Sequence, residues 1–154
     1  MKFIIGKKSD VSATSDRSIW LLLLTALVAA VFAFAPVSAQ VITDPNAPVR
    51  FTPSITSSGN GTRVINIPKP SKGGVSHSKF KEYNVDTSGV ILNNSSLGGN
   101  SIIGGRIKGN KNIVVGKPAR VILNEVTGSK KSRIAGPTEV FGTKADVIIA
   151  NPNG

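Results

Sequence analysis

Short apolar runs rich in β-branched residues, each closed by a cluster of glycine or asparagine, leave this chain few folds to choose from. From Gly73 onward they recur at Gly89-Val90-Ile91-Leu92, Ile102-Ile103, Ile113-Val114-Val115, Val121-Ile122-Leu123 and Ala145-Asp146-Val147-Ile148-Ile149-Ala150. Successive runs lie about ten residues apart and no helical period competes with them. Upstream, Gln40 to Pro70 holds five prolines around Val49-Arg50-Phe51 and Val64-Ile65-Asn66-Ile67, which read as short strands in an irregular entry region. The pattern predicts an all-β protein, and sandwich, barrel and β-helix all satisfy it.

The asparagines narrow the choice. They follow the apolar runs in Leu92-Asn93-Asn94, Leu123-Asn124 and Ala150-Asn151, which predicts strand exits where the side-chain amide bonds the backbone. Stacked coils would align such corners and let asparagines bond along the stack. Short strands, glycine turns and corner asparagines therefore favour a solenoid. The chain has no cysteine, so no disulfide framework or thiolate metal site is available to it.

The N-terminal segment is of a different kind. Ile19 to Ala35 is apolar except for Thr25, and it follows Lys2, Lys7, Lys8 and Arg17. Pro36 breaks the run, and Val37-Ser38-Ala39 offers small side chains before Gln40. This reads as a secretory signal peptide over residues 1–39, cleaved between Ala39 and Gln40. A retained anchor is the alternative, since the run is close to the shortest that spans a bilayer, roughly 17 residues; the helix break and small-residue site argue against it. Residues 40–154 keep 15 basic and six acidic side chains, a net charge of +9. That balance favours acidic partners such as glycans or anionic surfaces. Nucleic acid is not expected, because only Phe51, Phe80, Tyr83 and Phe141 remain for stacking.

Several separate segments carry a family resemblance. Ile122-Leu123-Asn124-Glu125-Val126-Thr127, Glu139-Val140-Phe141-Gly142 and Ala145 to Gly154, ending Asn151-Pro152-Asn153-Gly154, occur in order. Gly74-Val75-Ser76-His77, Tyr83-Asn84-Val85 and Gly89 to Ser95 precede them in order too. Together they resemble the N-terminal secretion domain of filamentous haemagglutinin-type exoproteins. The resemblance implies a right-handed parallel β-helix with an N-terminal cap, recognised by a dedicated outer-membrane two-partner-secretion transporter carrying POTRA domains. It implies export through the periplasm of a Gram-negative bacterium to the medium or cell surface, as an adhesin, haemolysin or contact-dependent toxin. Residues 40–154 would be the N-terminal part of that domain.

Two departures stand out. The family's mid-domain Asn-Pro-Asn-Leu-type turn is matched by Gly109-Asn110-Lys111-Asn112-Ile113, with Lys111 in the proline position. The turn is expected to survive, since Asn110 and Asn112 carry the backbone bonding. The sequence also stops at Gly154, inside a motif that the family continues, so the solenoid is expected to be incomplete and its last apolar run to expose an edge.

The remaining residues read as structural. His77 is the only histidine, which leaves no partner set for a triad or a multi-histidine metal site. The carboxylates are scattered rather than paired, so no glycosidase or lyase constellation is visible; Glu125 and Glu139 are expected to bond backbone or balance cations. No cofactor motif is present. Gly98 to Gly105 lacks the Lys-Ser/Thr of a phosphate loop and reads as two glycine turns around a short strand. Lys130-Lys131-Ser132-Arg133 reads as an exposed loop. The expected role is therefore export targeting rather than catalysis. A secreted glycan-binding module and a β-helical polysaccharide enzyme are the competing readings.

Overall fold

The computed structural model describes residues 40–154. The signal segment and Ala39 lie outside them, and Gln40 is exposed. Among the described residues ten strands form: β1 (Val41–Thr43), β2 (Ser54–Ser57), β3 (Arg63–Asn66), β4 (Val75–Tyr83), β5 (Val90–Asn94), β6 (Gly99–Ser101), β7 (Gly105–Ile107), β8 (Val121–Val126), β9 (Thr138–Gly142) and β10 (Asp146–Ala150). Among the described residues no helix is long and apolar enough to cross a membrane.

The strands wind as a β-helix. One sheet runs β2-β3-β5-β9 and the other β1-β4-β8-β10. Within each, the last three strands are parallel, with Arg63, Val90 and Thr138 in register in the first and Val75, Val121 and Asp146 in the second. The chain thus passes from one sheet to the other once per coil: β3 to β4, β5 to β8, β9 to β10. A parallel bridge between Val85 and Ile134 repeats the stacking on a third side. Both sheets begin with an antiparallel strand, β2 on β3 and β1 on β4, so the leading edges are covered by a cap.

Alternation along the strands builds the core. Ile55, Ile65, Leu92 and Val140 are register neighbours across the first sheet and belong to one apolar cluster with Phe80, Tyr83, Ile122 and Val126 from the second. Close stacking is enforced by glycine. A side chain at Gly136 would run into the Asp86 carbonyl and one at Gly128 into the Lys81 carbonyl, so these two connections lie directly against the preceding coil.

The second coil carries an insertion. Between β5 and β8 the chain leaves the solenoid, forms the antiparallel β6–β7 hairpin and returns. The hairpin covers the outer face of the first sheet, where Val64, Ile91 and Ile107 are buried with Ile103 and Phe141 against them. This is why every residue of β5 is buried, on both faces.

Three local expectations change. Val49–Phe51 is a 3₁₀ turn rather than a strand, because the prolines around it exclude a ladder. Ile113-Val114-Val115 lies in turns, with only a bridge from Val114 to Lys117. Ile102-Ile103 is the tip between β6 and β7, so strand and turn exchange places with the sequence reading.

Candidate recognition surface

The two Asn-x-Asn segments fold alike. Asn110 Oδ1 accepts from the Asn112 N–H at 3.0 Å, and the Asn110 carbonyl accepts from Ile113 N–H at 3.1 Å. Asn151 Oδ1 accepts from the Asn153 N–H at 2.9 Å, and the Asn151 carbonyl accepts from Gly154 N–H at 3.2 Å. In each turn both side-chain amides reach back to the coil beneath. Asn110 Nδ2 donates to the Ile67 and Asn93 carbonyls and Asn112 Nδ2 to Ile67, while Asn151 Nδ2 donates to the Lys130 carbonyl and Ser132 Oγ, and Asn153 Nδ2 to the Gly128 carbonyl. Lys111 and Pro152 occupy the same turn position, and both are exposed.

The sequence signal reaches further than the family motif. Asp44 accepts from Asn46 N–H at 2.8 Å and, through its carbonyl, from Ala47 N–H. Asp86 accepts from Ser88 N–H and hydroxyl and, through its carbonyl, from Gly89 N–H. These are the same turn, and the spacing of Asp to Asn or Ser two residues on would have found them. The Asn46 N–H, with the Thr127 hydroxyl, holds the Asp44 carboxyl below its usual range, and the Ser88 hydroxyl does the same for Asp86.

Asn124, Glu125 and Val126 do not form a corner. They lie within β8, so the strand exit expected at Asn124 is displaced to Val126, whose side chain is buried. The cause is pairing on both sides, with β4 and β10 holding Asn124 opposite Ser78 and Ile149. Asn124 is fully buried, donates only a long 3.5 Å bond to the Tyr83 hydroxyl, and its Oδ1 has no partner. Burial pushes the Tyr83 phenol far above its usual range. The expected asparagine ladder is a single rung, Asn93 Nδ2 to Asn66 Oδ1 at 2.9 Å; on the next coil Phe141 stands opposite Asn93.

Glu125 faces outward. Its Oε2 lies 2.7 Å from His77 Nε2 and its Oε1 3.4 Å from Lys79 Nζ, so it balances cations as expected. The Phe51 ring packs against His77 at a tilt of 44° with centroids 4.6 Å apart, and the Arg50 guanidinium lies over the Phe51 ring, 4.6 Å from its centroid.

Glu139 bonds backbone as expected, and the backbone it holds is the hairpin tip. It accepts from the Ser101 hydroxyl and the N–H groups of Ile102 and Ile103 at 2.7 to 3.0 Å. From the other side, Asn60 Nδ2 and the Thr62 hydroxyl donate to the Ile103 carbonyl. Partial burial raises the Glu139 carboxyl, but the two N–H groups and the hydroxyl outweigh it and hold it below its usual range. The hairpin tip is thereby clamped between cap and third coil with Ile102 almost wholly exposed.

Comparison with known proteins agrees with this architecture. The sequence model described as the TPS secretion domain matches residues 39–154. Filamentous hemagglutinin of Bordetella pertussis is 48% identical over 100 residues, 65% of this chain and 3% of that protein. Toxin CdiA of Yersinia pestis is 41% identical over 148 residues, 96% of this chain and 4% of that protein. The chain therefore spans a few per cent of the length of the curated relatives it matches. The crystal structure of the filamentous hemagglutinin secretion domain superimposes with a TM-score of 0.64 at 42% identity, covering 73% of this chain and 35% of that one. A match that takes in every described strand, joined to a shared β-helical fold, means that this chain belongs to the TPS secretion domain family.

Proposed function

We propose that residues 40–154 form the N-terminal part of a secretion-targeting domain, which a dedicated outer-membrane transporter recognises through its POTRA domains after residues 1–39 have been removed between Ala39 and Gln40. The exported protein reaches the medium or the surface of a Gram-negative bacterium, where it acts as an adhesin or contact-dependent toxin. The observation that carries this reading is the family match from residue 39 to 154, directly behind a segment with the charge and hydropathy of a signal peptide. The role of this region is recognition, not catalysis. Its polar side chains serve turns, as in Asn110 and Asn151, or clamp the hairpin, as in Glu139.

The experiment is co-expression of the full chain with a two-partner-secretion outer-membrane transporter. Protein is expected in the medium or on the surface only when the transporter is present, and its N-terminal sequence is expected to start at Gln40. Release that is equal without the transporter would remove the reading, and an intact Met1 on exported protein would remove the cleavage site.

A further inference from the structure

The turn that joins β2 to β3 in the cap places Asn60 directly before Gly61. Of the asparagines in the chain, only Asn60 and Asn153 precede glycine. Glycine in that position leaves its backbone nitrogen open to the preceding side chain, because no Cβ shields it. Asn60 and Gly61 are both exposed, so water reaches the turn freely. Asn153 is half-buried, and its amide is held by the Gly128 carbonyl and by Asn151 Oδ1.

The Asn60 carboxamide is polarised by its neighbours. Its Oδ1 accepts from the Ser58 hydroxyl at 2.7 Å and from the Thr62 N–H at 3.1 Å. Donors on a carbonyl oxygen draw electrons from its carbon and stabilise the charge that develops there under attack. The adjacent nucleophile is the Gly61 nitrogen, whose N–H bonds the Ser58 carbonyl at 3.1 Å, the contact that attack has to break. The Asn60 Nδ2 meanwhile donates to the Ile103 carbonyl at 2.9 Å. It is therefore one jaw of the clamp on the hairpin tip, opposite the Glu139 carboxylate that holds the Ile103 N–H.

We propose that Asn60 is a site of spontaneous deamidation, and that its conversion releases the β6–β7 hairpin tip. The Gly61 nitrogen loses its proton and bonds to Cγ of Asn60, while the bond from Cγ to Nδ2 breaks and Nδ2 leaves as ammonia, carrying that proton. Water then adds to either carbonyl of the cyclic imide and breaks one of its C–N bonds, leaving aspartate or isoaspartate. Solvent is the only co-reactant. A carboxylate accepts hydrogen bonds but cannot donate to the Ile103 carbonyl, which keeps only the Thr62 hydroxyl at 3.2 Å. Its charge also faces a carbonyl oxygen, on a residue whose N–H already holds Glu139. The isoaspartate product lengthens the main chain of the turn beside Ser57 and Arg63, the pair that closes the β2–β3 ladder. Rebuilding the amide would need ammonia and an activated carboxyl, so the change runs one way and marks the age of the folded molecule. The inference is independent of the export reading, because it concerns the folded cap and hairpin alone.

The test is ageing of the purified full chain in mildly acidic and mildly alkaline buffer, followed by tryptic mass mapping and by amide exchange on the intact protein. Cleavage after Arg50 and Arg63 releases residues 51–63, in which Asn60 is the only asparagine. Cleavage after Lys81 and Arg106 releases residues 82–106, which hold four asparagines and none before glycine. The first fragment is expected to gain the mass of an amide-to-acid conversion while the second stays unchanged. The gain should be faster in alkaline buffer, because the attacking nitrogen has to lose its proton. In the converted fraction the Ile102 and Ile103 amides are expected to exchange about fivefold faster or more, the effect of roughly one lost hydrogen bond. Asn60→Asp should show the fast exchange without ageing. An unchanged 51–63 fragment, equal gains in both fragments, or converted protein whose tip exchanges as slowly as the unaged parent would each overturn the proposal.

Discussion

Asn110 donates from one buried amide to two carbonyls, Ile67 and Asn93, and accepts a third bond from Asn112. Asn110→Ala removes both donations, leaving Ile67 only the Asn112 amide, and is expected to cost about 2 kcal/mol in denaturant unfolding. Lys111→Pro should be neutral or stabilise by up to about 1 kcal/mol, because Pro152 already occupies the equivalent position and proline restricts the unfolded chain. These turns were legible, since asparagine two residues before another polar residue has a specific backbone use. Asn124 was misread for the same reason. Local preference pointed to a corner, but pairing on two sides made it an interior strand position, which no short-range signal reveals. Having no backbone bond to lose, Asn124→Leu is expected to leave stability within about 1 kcal/mol of the parent, measured the same way.

The β6–β7 hairpin depends on contacts made far away in sequence. Gly-Asn-Ser and Gly-Arg-Ile carry little strand preference of their own, whereas Ile102-Ile103, with the higher preference, forms the tip. What decides the outcome is the apolar outer face of β5 and the carboxylate of Glu139, neither of which is visible locally. Because the folded Glu139 carboxyl is held below its ordinary value of 4.5, its contribution is present above that value and is lost as pH falls through the lower folded one. Amide exchange at Ile102 and Ile103 is expected to accelerate selectively in that acid range, and Glu139→Gln should accelerate it already at neutral pH. The glycines that let coils touch are less forgiving. Gly136→Ala would drive a methyl into the Asp86 carbonyl and is expected to cost about 3 kcal/mol or more, read from the unfolding midpoint.

At the scale of the molecule, the all-β winding follows from the recurring apolar runs and the cap from the family resemblance, while the number of coils is set by register that only the pairing discloses. Val147 and Ile148 on β10 remain partly exposed at the edge of their sheet. A polypeptide limited to residues 40–154 is therefore expected to give a β-rich circular dichroism spectrum and to self-associate at micromolar-order concentration in sedimentation experiments. The turn asparagines add a polarity to this stack. Asn110, Asn112, Asn151 and Asn153 all donate to carbonyls that precede them in the chain. Each new corner thus has its docking points ready only once the previous one has set, as in a filament that grows from a single seeded end. With the cap as that seed, folding is expected to proceed from the first coil toward the last. A lesion in the first coil should stall every later one, whereas a lesion at Asn151 should leave the first two coils free to form.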